Sequence, residues 1–262
     1  MKLQVCAAAA GVPPLLACLG LLALWEGAAR MLQIDGLPPA YDALRELPAI
    51  LTDREALSNI AASMQRMLTG FVLALLLSIP IGLCMAHSRR VAAFINPLLM
   101  MIYPVPKAAL MPIIMLWLGI GDASKTIVIG LGVSLPIIYH SYQGARAVEQ
   151  KLIWSAAAMG MGPAARLLRI VLPAALPEIF VGIRTGLVLA LITMVTSEMI
   201  ARQTGVGSIL FNALDMAQYA TVYAMIVIVG LLGFFVDVLF EQLRSRVIAW
   251  AEPEHELAVG TS

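Results

Sequence analysis

Long apolar runs with almost no charge limit most strongly how this 262-residue chain can fold. The clearest run is 67–86, which carries no charged residue and is followed by the polar segment His87-Ser88-Arg89-Arg90. A helix needs about 20 mostly apolar residues to cross the hydrocarbon core of a bilayer. With 61% hydrophobic and 13% charged residues, the chain also has too few polar groups to cover a soluble globule. The sequence therefore predicts an all-α polytopic membrane protein, and it excludes a disordered chain.

Runs of this kind predict about six transmembrane helices, all within a single transmembrane domain that covers residues 1–262. The first run could also be a cleaved signal peptide, but it is longer than the usual apolar region of about 7–15 residues, so we expect an uncleaved helix. The third and fifth runs contain charged residues. The predicted spans are roughly 5–28, 64–87, 92–119, 124–145, 178–201 and 217–243.

Lysine and arginine residues are unevenly distributed between the loops that join these spans. If the N-terminus is cytoplasmic, nine of them lie in cytoplasmic segments and five in outer loops. Cytoplasmic loops carry an excess of these residues in membrane proteins. We therefore expect both termini to be cytoplasmic, and segment 146–177 then becomes the longest cytoplasmic loop.

The charges inside the spans need a physical reason, because ionisable groups are costly in a bilayer. Lys107 follows Pro104 and Pro106, which cannot continue a regular helix without losing hydrogen bonds. Two interpretations stay open: the break lines a cavity in which Lys107 faces an anionic solute, or Lys107 is structurally paired in a kinked helix. Arg184 is expected at the inner interface. Glu198 is expected near the outer mouth, as a structural partner or as a gate.

Residues that would indicate chemistry on this chain are missing from the sequence. Nothing matches the nucleotide-binding pattern GxxxxGK[ST], and the spans hold no catalytic constellation. The three cysteines and three histidines are scattered, which predicts no metal site. A net charge of +1 gives no indication of nucleic-acid binding.

The inner loop 146–177 is unusual because its middle is apolar and rich in small residues, from Trp154 to Pro163. Gly160 and Gly162 are suited to a helix end or a sharp turn, and Pro163 is suited to the first position of a new helix. The pattern predicts a helix, a tight turn and a second helix. Its small-residue apex allows close approach by a partner surface.

This loop resembles the EAA loop of ABC-importer permeases, which reads Glu-Ala-Ala, three residues, Gly, nine residues, Ile-x-Leu-Pro. Trp154 and Ser155 stand where the family has its Glu and first Ala. Further likeness, to the branch that imports sulfonates, taurine and nitrate, runs through Trp117-Leu118-Gly119-Ile120-Gly121 and through Glu198-Met199 followed by Gly205-Val206-Gly207. The residues in register with the EAA pattern are Ala156, Gly160, Ile170, Leu172 and Pro173.

The resemblance implies a type I ABC importer permease fold and a subunit that is not itself an enzyme. ATP and magnesium would bind to two separate ATPase subunits, with Ala156 and Gly160 at the contact and with Ile170, Leu172 and Pro173 fixing the return into the bilayer. A second permease copy, giving a homodimer, and a periplasmic binding protein would complete the importer in a bacterial inner membrane.

The solute that the resemblance implies is small and anionic, such as a sulfonate, taurine or nitrate. The alternative from the residues alone is a secondary transporter driven by an ion gradient. Such a protein is expected to show internal repeats and ionisable residues near the middle of the bilayer, and no convincing repeat is present in the sequence.

Overall fold

A computed structural model describes residues 3–250, and their side chains from residue 16 onward. In this part of the chain every regular element is helical, which confirms the predicted all-α class. A short 3₁₀ turn, Lys107–Leu110, precedes α5, and a π turn, Leu167–Val171, joins α8 to α9. The helices are α1 Leu3–Leu32, α2 Ala40–Thr52, α3 Arg54–His87, α4 Arg89–Ile102, α5 Met111–Leu118, α6 Asp122–Ala147, α7 Gln150–Ala158, α8 Pro163–Arg166, α9 Leu172–Ala201, α10 Val206–Asp215 and α11 Tyr219–Val247.

Within the described residues, four helices are long and apolar enough to cross a membrane. They are α3, α6, the continuous segment Pro163–Ala201 that contains α9, and α11. The pair formed by α4 and Lys107–Leu118 raises the number to five if its two halves form one broken span. The first predicted span, 5–28, falls within α1, whose side chains up to residue 15 lie outside the described residues.

The third predicted span is interrupted where the prolines stand. The axes of α4 and of the helical segment Lys107–Leu118 differ in direction by 86°. Pro104 and Pro106 lie in the break, and Pro106 immediately precedes the 3₁₀ turn. The bend has a local cause, since neither proline has an N–H group with which to continue the helical hydrogen bonds.

Helix α6 forms the centre of the bundle and lies directly against α3. The two helices run in parallel, because Gly70 of α3 faces Ile129 while Gly82 faces Ser141. A Cβ atom added at Gly82 would overlap Ser141, so the backbones approach as closely as a glycine allows. Small residues at such contacts are typical of helix association in membranes.

Helix α9 covers the other side of α6 and runs antiparallel to it. Gly144, near the end of α6, faces Glu178 near the start of α9, whereas Gly132 faces Thr193 farther along. The bundle therefore has two distinct ends. We call the end with α7 and α8 the α7 end, and the opposite end, where α9 meets α10, the α10 end.

Candidate functional site

The predicted helix, turn and helix are present at the α7 end. Helix α7 closes with two backbone hydrogen bonds, in which Gly160 N donates to Ala157 O and Met161 N donates to Ala156 O, both at 3.0 Å. This pattern requires a left-handed residue after the helix, and Gly160 has a φ of +82°. Pro163 opens α8 in the first helical turn, where no donor is needed.

The surface of this turn is apolar and open. Trp154 and Met159 are 65% and 74% exposed, and a Cβ atom at Gly160 would have no neighbour within 4 Å. Ala156 differs from them, since only 1% of its surface is exposed and its side chain packs inside the protein. The exposed surface of the turn therefore includes Trp154, Met159 and Gly160. The role open to Ala156 is to hold the end of α7.

The return from the turn into the bundle passes through a local widening of the helix. Pro173 has no N–H group, and the π turn just before it accommodates the missing bond, with Leu172 N donating to Leu167 O. Leu172 also packs against the buried cluster that contains Val171 and Ala175. Ile170 is half-buried beside it. These residues anchor the loop to the first turns of α9.

The break in the third span places Lys107 against its own chain. Its Nζ donates to Ile102 O at 2.6 Å and to Tyr103 O at 2.9 Å. Ile102 is the last residue of α4 and Tyr103 is its C-cap, so neither carbonyl has a partner within the helix. Of the two interpretations of Lys107, the geometry supports structural pairing. Pro104 and Pro106 lie on the exposed surface of the chain.

Glu198 lies at the α10 end and is completely buried. Its carboxylate accepts hydrogen bonds from Ser63 Oγ at 2.7 and 2.8 Å, from Arg66 Nη1 at 2.6 Å and from Gly207 N at 3.1 Å. Burial of a carboxylate is costly unless a cation and several donors surround it. The geometry therefore supports the structural role that was open for Glu198, because no part of its side chain reaches a solvent path.

Arg66 extends this network to other elements. Its Nε donates to Asp122 Oδ1 at 2.6 Å and its Nη2 donates to Thr204 Oγ1 at 2.7 Å. Lys125, only 1% exposed, donates to Thr204 O at 3.0 Å. The negative charges of Asp122 and Glu198 thus balance the positive charges of Arg66 and Lys125. These side chains lie where α3, α6, α9 and the loop before α10 meet. We call the set Ser63, Arg66, Asp122, Lys125, Glu198 and Thr204 the Glu198 network.

The loop between α9 and α10 is built to fit around this carboxylate. Gly205 has a φ of +115°, and a Cβ atom there would overlap the Glu198 carboxylate. Gly205 N donates to Asn59 Oδ1 at 2.7 Å, and Val206 N donates to Ser63 Oγ at 2.9 Å. Side chains of α3 therefore satisfy two of the free N–H groups at the start of α10, and Glu198 of α9 satisfies a third.

Sequence reasoning identified Glu198 but missed its partners. Arg66 and Lys125 stand at the edges of apolar runs, where they resemble ordinary loop charges. The partners Arg66 and Glu198 are 132 residues apart, so no local pattern connects them. One signal could have indicated these partners: a carboxylate inside a span needs a cation, and that cation must come from another span.

An ion pair and a histidine–carboxylate contact also lie on the half of the bundle toward the α7 end. Arg184 of α9 donates to both carboxylate oxygens of Asp237 on α11, at 3.0 and 2.8 Å, and both side chains are partly exposed. His140 Nδ1 and Glu178 Oε1 are 2.7 Å apart and join α6 to α9. Arg184 thus has a partner that the sequence did not reveal.

These features, a helical bundle with a broken span and an exposed helix–turn–helix loop, define the membrane subunit of a type I ABC importer. The bundle has the same fold as a chain of the MetNI methionine ABC transporter, with a TM-score of 0.60 and 16% sequence identity over 73% of this chain and 95% of the other. Residues 78–249 match the family of binding-protein-dependent transport system inner membrane components, and the chain belongs to this family.

Named relatives agree with this assignment. A Brucella abortus protein named "Probable ABC transporter permease protein" is 34% identical over 82% of this chain and 86% of its own length. The taurine transport system permease protein TauC of Escherichia coli is 31% identical over 88% and 86%. The nitrate import permease protein NrtB of Leptolyngbya laminosa is 26% identical over 75% and 71%. The predicted membership of the ABC-importer permease family, the predicted fold class and the predicted permease function are confirmed.

Proposed function

We propose that this ABC permease subunit imports a small anionic solute of the sulfonate, taurine or nitrate kind. The support comes from its relatives, which are named for taurine, aliphatic sulfonates and nitrate. In this proposal the chain performs no chemical step and binds no cofactor. ATP and magnesium bind to two ATPase subunits, and a periplasmic binding protein delivers the solute to a pair of permease copies.

The observation that carries the coupling part of the proposal is the surface of the α7–α8 turn. Trp154 and Met159 expose large apolar side chains there, beside a glycine with open space around it. An exposed apolar patch of this kind is typical of a protein contact. A turn anchored firmly in α9 can transmit movement of an ATPase subunit to the helices of the bundle.

The orientation follows from the positive charges at the α7 end. Arg89, Arg90, Arg146, Arg166 and Arg169 all lie there, and the excess of such residues marks the cytoplasmic side. The α7–α8 turn is then accessible to cytoplasmic ATPases. Both chain termini are cytoplasmic in this orientation, and the membrane is a bacterial inner membrane.

The path for the solute is proposed along the exposed face that carries Arg184 and Asp237. Arg184 lies about 18 Å along α9 from Leu172, at about 1.5 Å per residue. Charged side chains at such a depth face a water-filled cavity or another protein surface rather than lipid. The exposed break at Pro104 and Pro106, capped by Lys107, is proposed as a second element of this path, since irregular backbone at membrane depth also needs water or protein beside it.

Substitutions at Gly160 test the coupling contact. Alanine adds one methyl group but tolerates a left-handed backbone poorly, at a cost of about 1–2 kcal/mol. Asparagine tolerates that backbone better but is bulkier. If a partner surface lies against Gly160, Gly160→Asn should lose the co-purified ATPase subunit and solute uptake more completely than Gly160→Ala.

The opposite ranking would mean that only backbone strain matters and would contradict a contact at this position. Membrane insertion of both variants is checked by their yield and by their elution from a sizing column. Uptake is measured with the assembled importer and its binding protein, using taurine, an alkanesulfonate and nitrate in parallel. Failure of all three solutes with a working ATPase cycle would contradict the proposed solute class.

A further inference from the structure

A cleft of about 600 Å³ opens at the α7 end and has no role in the function described so far. It lies between the C-terminal ends of α3 and α6, the start of α4, and helices α7 and α8. Its wall contains no aspartate or glutamate, although the whole chain has 16 acidic and 17 basic residues. The basic side chains in the wall are His87, Arg89, Arg146 and Arg166.

Hydrogen-bond donors in this cleft are left without acceptors. Arg166 Nε is buried and has no hydrogen-bond partner within the described residues. Tyr142 is only 9% exposed, and its hydroxyl accepts from Arg146 Nη1 at 2.9 Å. No described residue accepts the proton of that hydroxyl. A buried donor without an acceptor destabilises the folded protein, so an acceptor bound in the cleft would remove this penalty.

The arginines of the cleft lack the acidic partners that several other arginines of the bundle have. Arg66, Arg184 and Arg202 each form a salt bridge with an acidic side chain. Among residues 16–250, the described side chains provide no such partner to Arg89, Arg146 or Arg166. Arg89 of α4, Arg146 of α6 and Arg166 of α8 thus line one space whose wall holds no acidic side chain, and this composition is suited to an anion.

Apolar residues in the same wall distinguish between kinds of anion. The cationic groups stand next to an apolar surface formed by Leu83, Met85, Ala92, Leu167 and Val171. An inorganic ion gains nothing from such a surface. A phospholipid contacts both, because its phosphate is bound by arginine and the methylene groups of its acyl chains are apolar.

We propose that this cleft binds the phosphate group of an anionic phospholipid from the leaflet at the α7 end. The cytoplasmic identity of that leaflet rests on the orientation given under the proposed function. One phosphate would join Arg89 of α4, Arg146 of α6 and Arg166 of α8. Because α8 directly follows the turn at Gly160, the bound lipid would hold the coupling turn against the bundle and make coupling depend on membrane composition.

The test uses the full chain, delipidated in an uncharged detergent, without solute, ATP or ATPase subunit. Short-chain phosphatidylglycerol, short-chain phosphatidylcholine and inorganic phosphate are titrated separately, and the shift of the thermal unfolding midpoint gives an apparent Kd. We expect saturable stabilisation by phosphatidylglycerol only. Arg166→Gln should weaken it about tenfold or more, since it removes a charge-assisted contact.

Arg169→Gln is the matched control, because it removes the same charge three residues away, outside the cleft wall. It should change the apparent Kd less than about twofold. Tyr142→Phe removes only a hydroxyl group and provides a second variant if Arg166→Gln proves unstable. It should also weaken phosphatidylglycerol binding, though less than the loss of a charge.

Several results would overturn the proposal. Equal stabilisation by phosphatidylcholine would remove the requirement for an anion, and equal stabilisation by inorganic phosphate would make the site one for free phosphate. An equal loss in Arg169→Gln would indicate diffuse surface charge. Release of the lipid on assembly with the ATPase subunit would make the cleft a protein contact. None of these results depends on uptake, so a failure of the proposed solute class would be recognised separately.

Discussion

Replacement of Glu198 by alanine should destabilise the α10 end more than any other single truncation there. Three donors lose their hydrogen bond to Glu198 in this variant: Ser63 Oγ, Arg66 Nη1 and Gly207 N. Breaking a buried ion pair from one side costs about 3–5 kcal/mol. Because Arg66 keeps its contact with Asp122, we expect a loss of about 3–4 kcal/mol in the free energy of unfolding.

Two related variants separate charge from shape. Glu198→Gln keeps the size of the side chain but places an amide NH₂ among groups that are themselves donors, so about half of the loss should remain. The double variant Arg66→Met/Glu198→Met removes both charges. It should lose less than the two single variants added together, with a coupling energy of about 2–3 kcal/mol.

The assay is reversible unfolding of the purified full chain in mixed micelles, with dodecyl sulfate as the denaturant and helical circular dichroism as the signal. Asp237→Ala is the control, because it breaks an ion pair whose side chains are 51% and 40% exposed. Such a pair contributes about 0–1 kcal/mol. If Glu198→Ala loses no more stability than this control, or if the double-mutant cycle is additive, the buried pair of Arg66 and Glu198 does not stabilise the α10 end as proposed.

Three further predictions concern two glycine positions and the lysine that caps α4. Gly205→Ala should prevent stable folding, because it strains a left-handed residue and overlaps the Glu198 carboxylate; a monodisperse variant with an unchanged unfolding midpoint would contradict this. Gly182→Val should lower the midpoint strongly, since a Cβ atom there would overlap His140, whereas Gly230→Ala, with open space around it, should not; equal midpoints would refute the close α6–α9 contact. Lys107→Met should lose only the cap of α4 and leave the KM of solute uptake unchanged, because backbone carbonyls hold the ammonium group; a large rise in KM would instead show that this ammonium group contacts the solute.

The sequence by itself determined the class of this protein and most of its helices. Charge-free runs of about 20 residues have few alternatives to a membrane span, and the bend near Pro104 followed directly from the two prolines. The turn at Gly160 was equally local, because a glycine after a run of helix-forming residues and a proline three residues later specify a helix end and a new start. The match of the inner loop 146–177 to the EAA pattern predicted the permease function.

Tertiary structure alone decided which charged groups meet. The Glu198 network joins side chains from α3, α6, α9 and the loop before α10, and none of these pairings leaves a trace in local spacing. The same holds for the pair of Arg184 and Asp237 and for the cleft of unpaired arginines. A bilayer penalises every isolated charge but does not specify its partner, so only the packing of the helices could select the pairs.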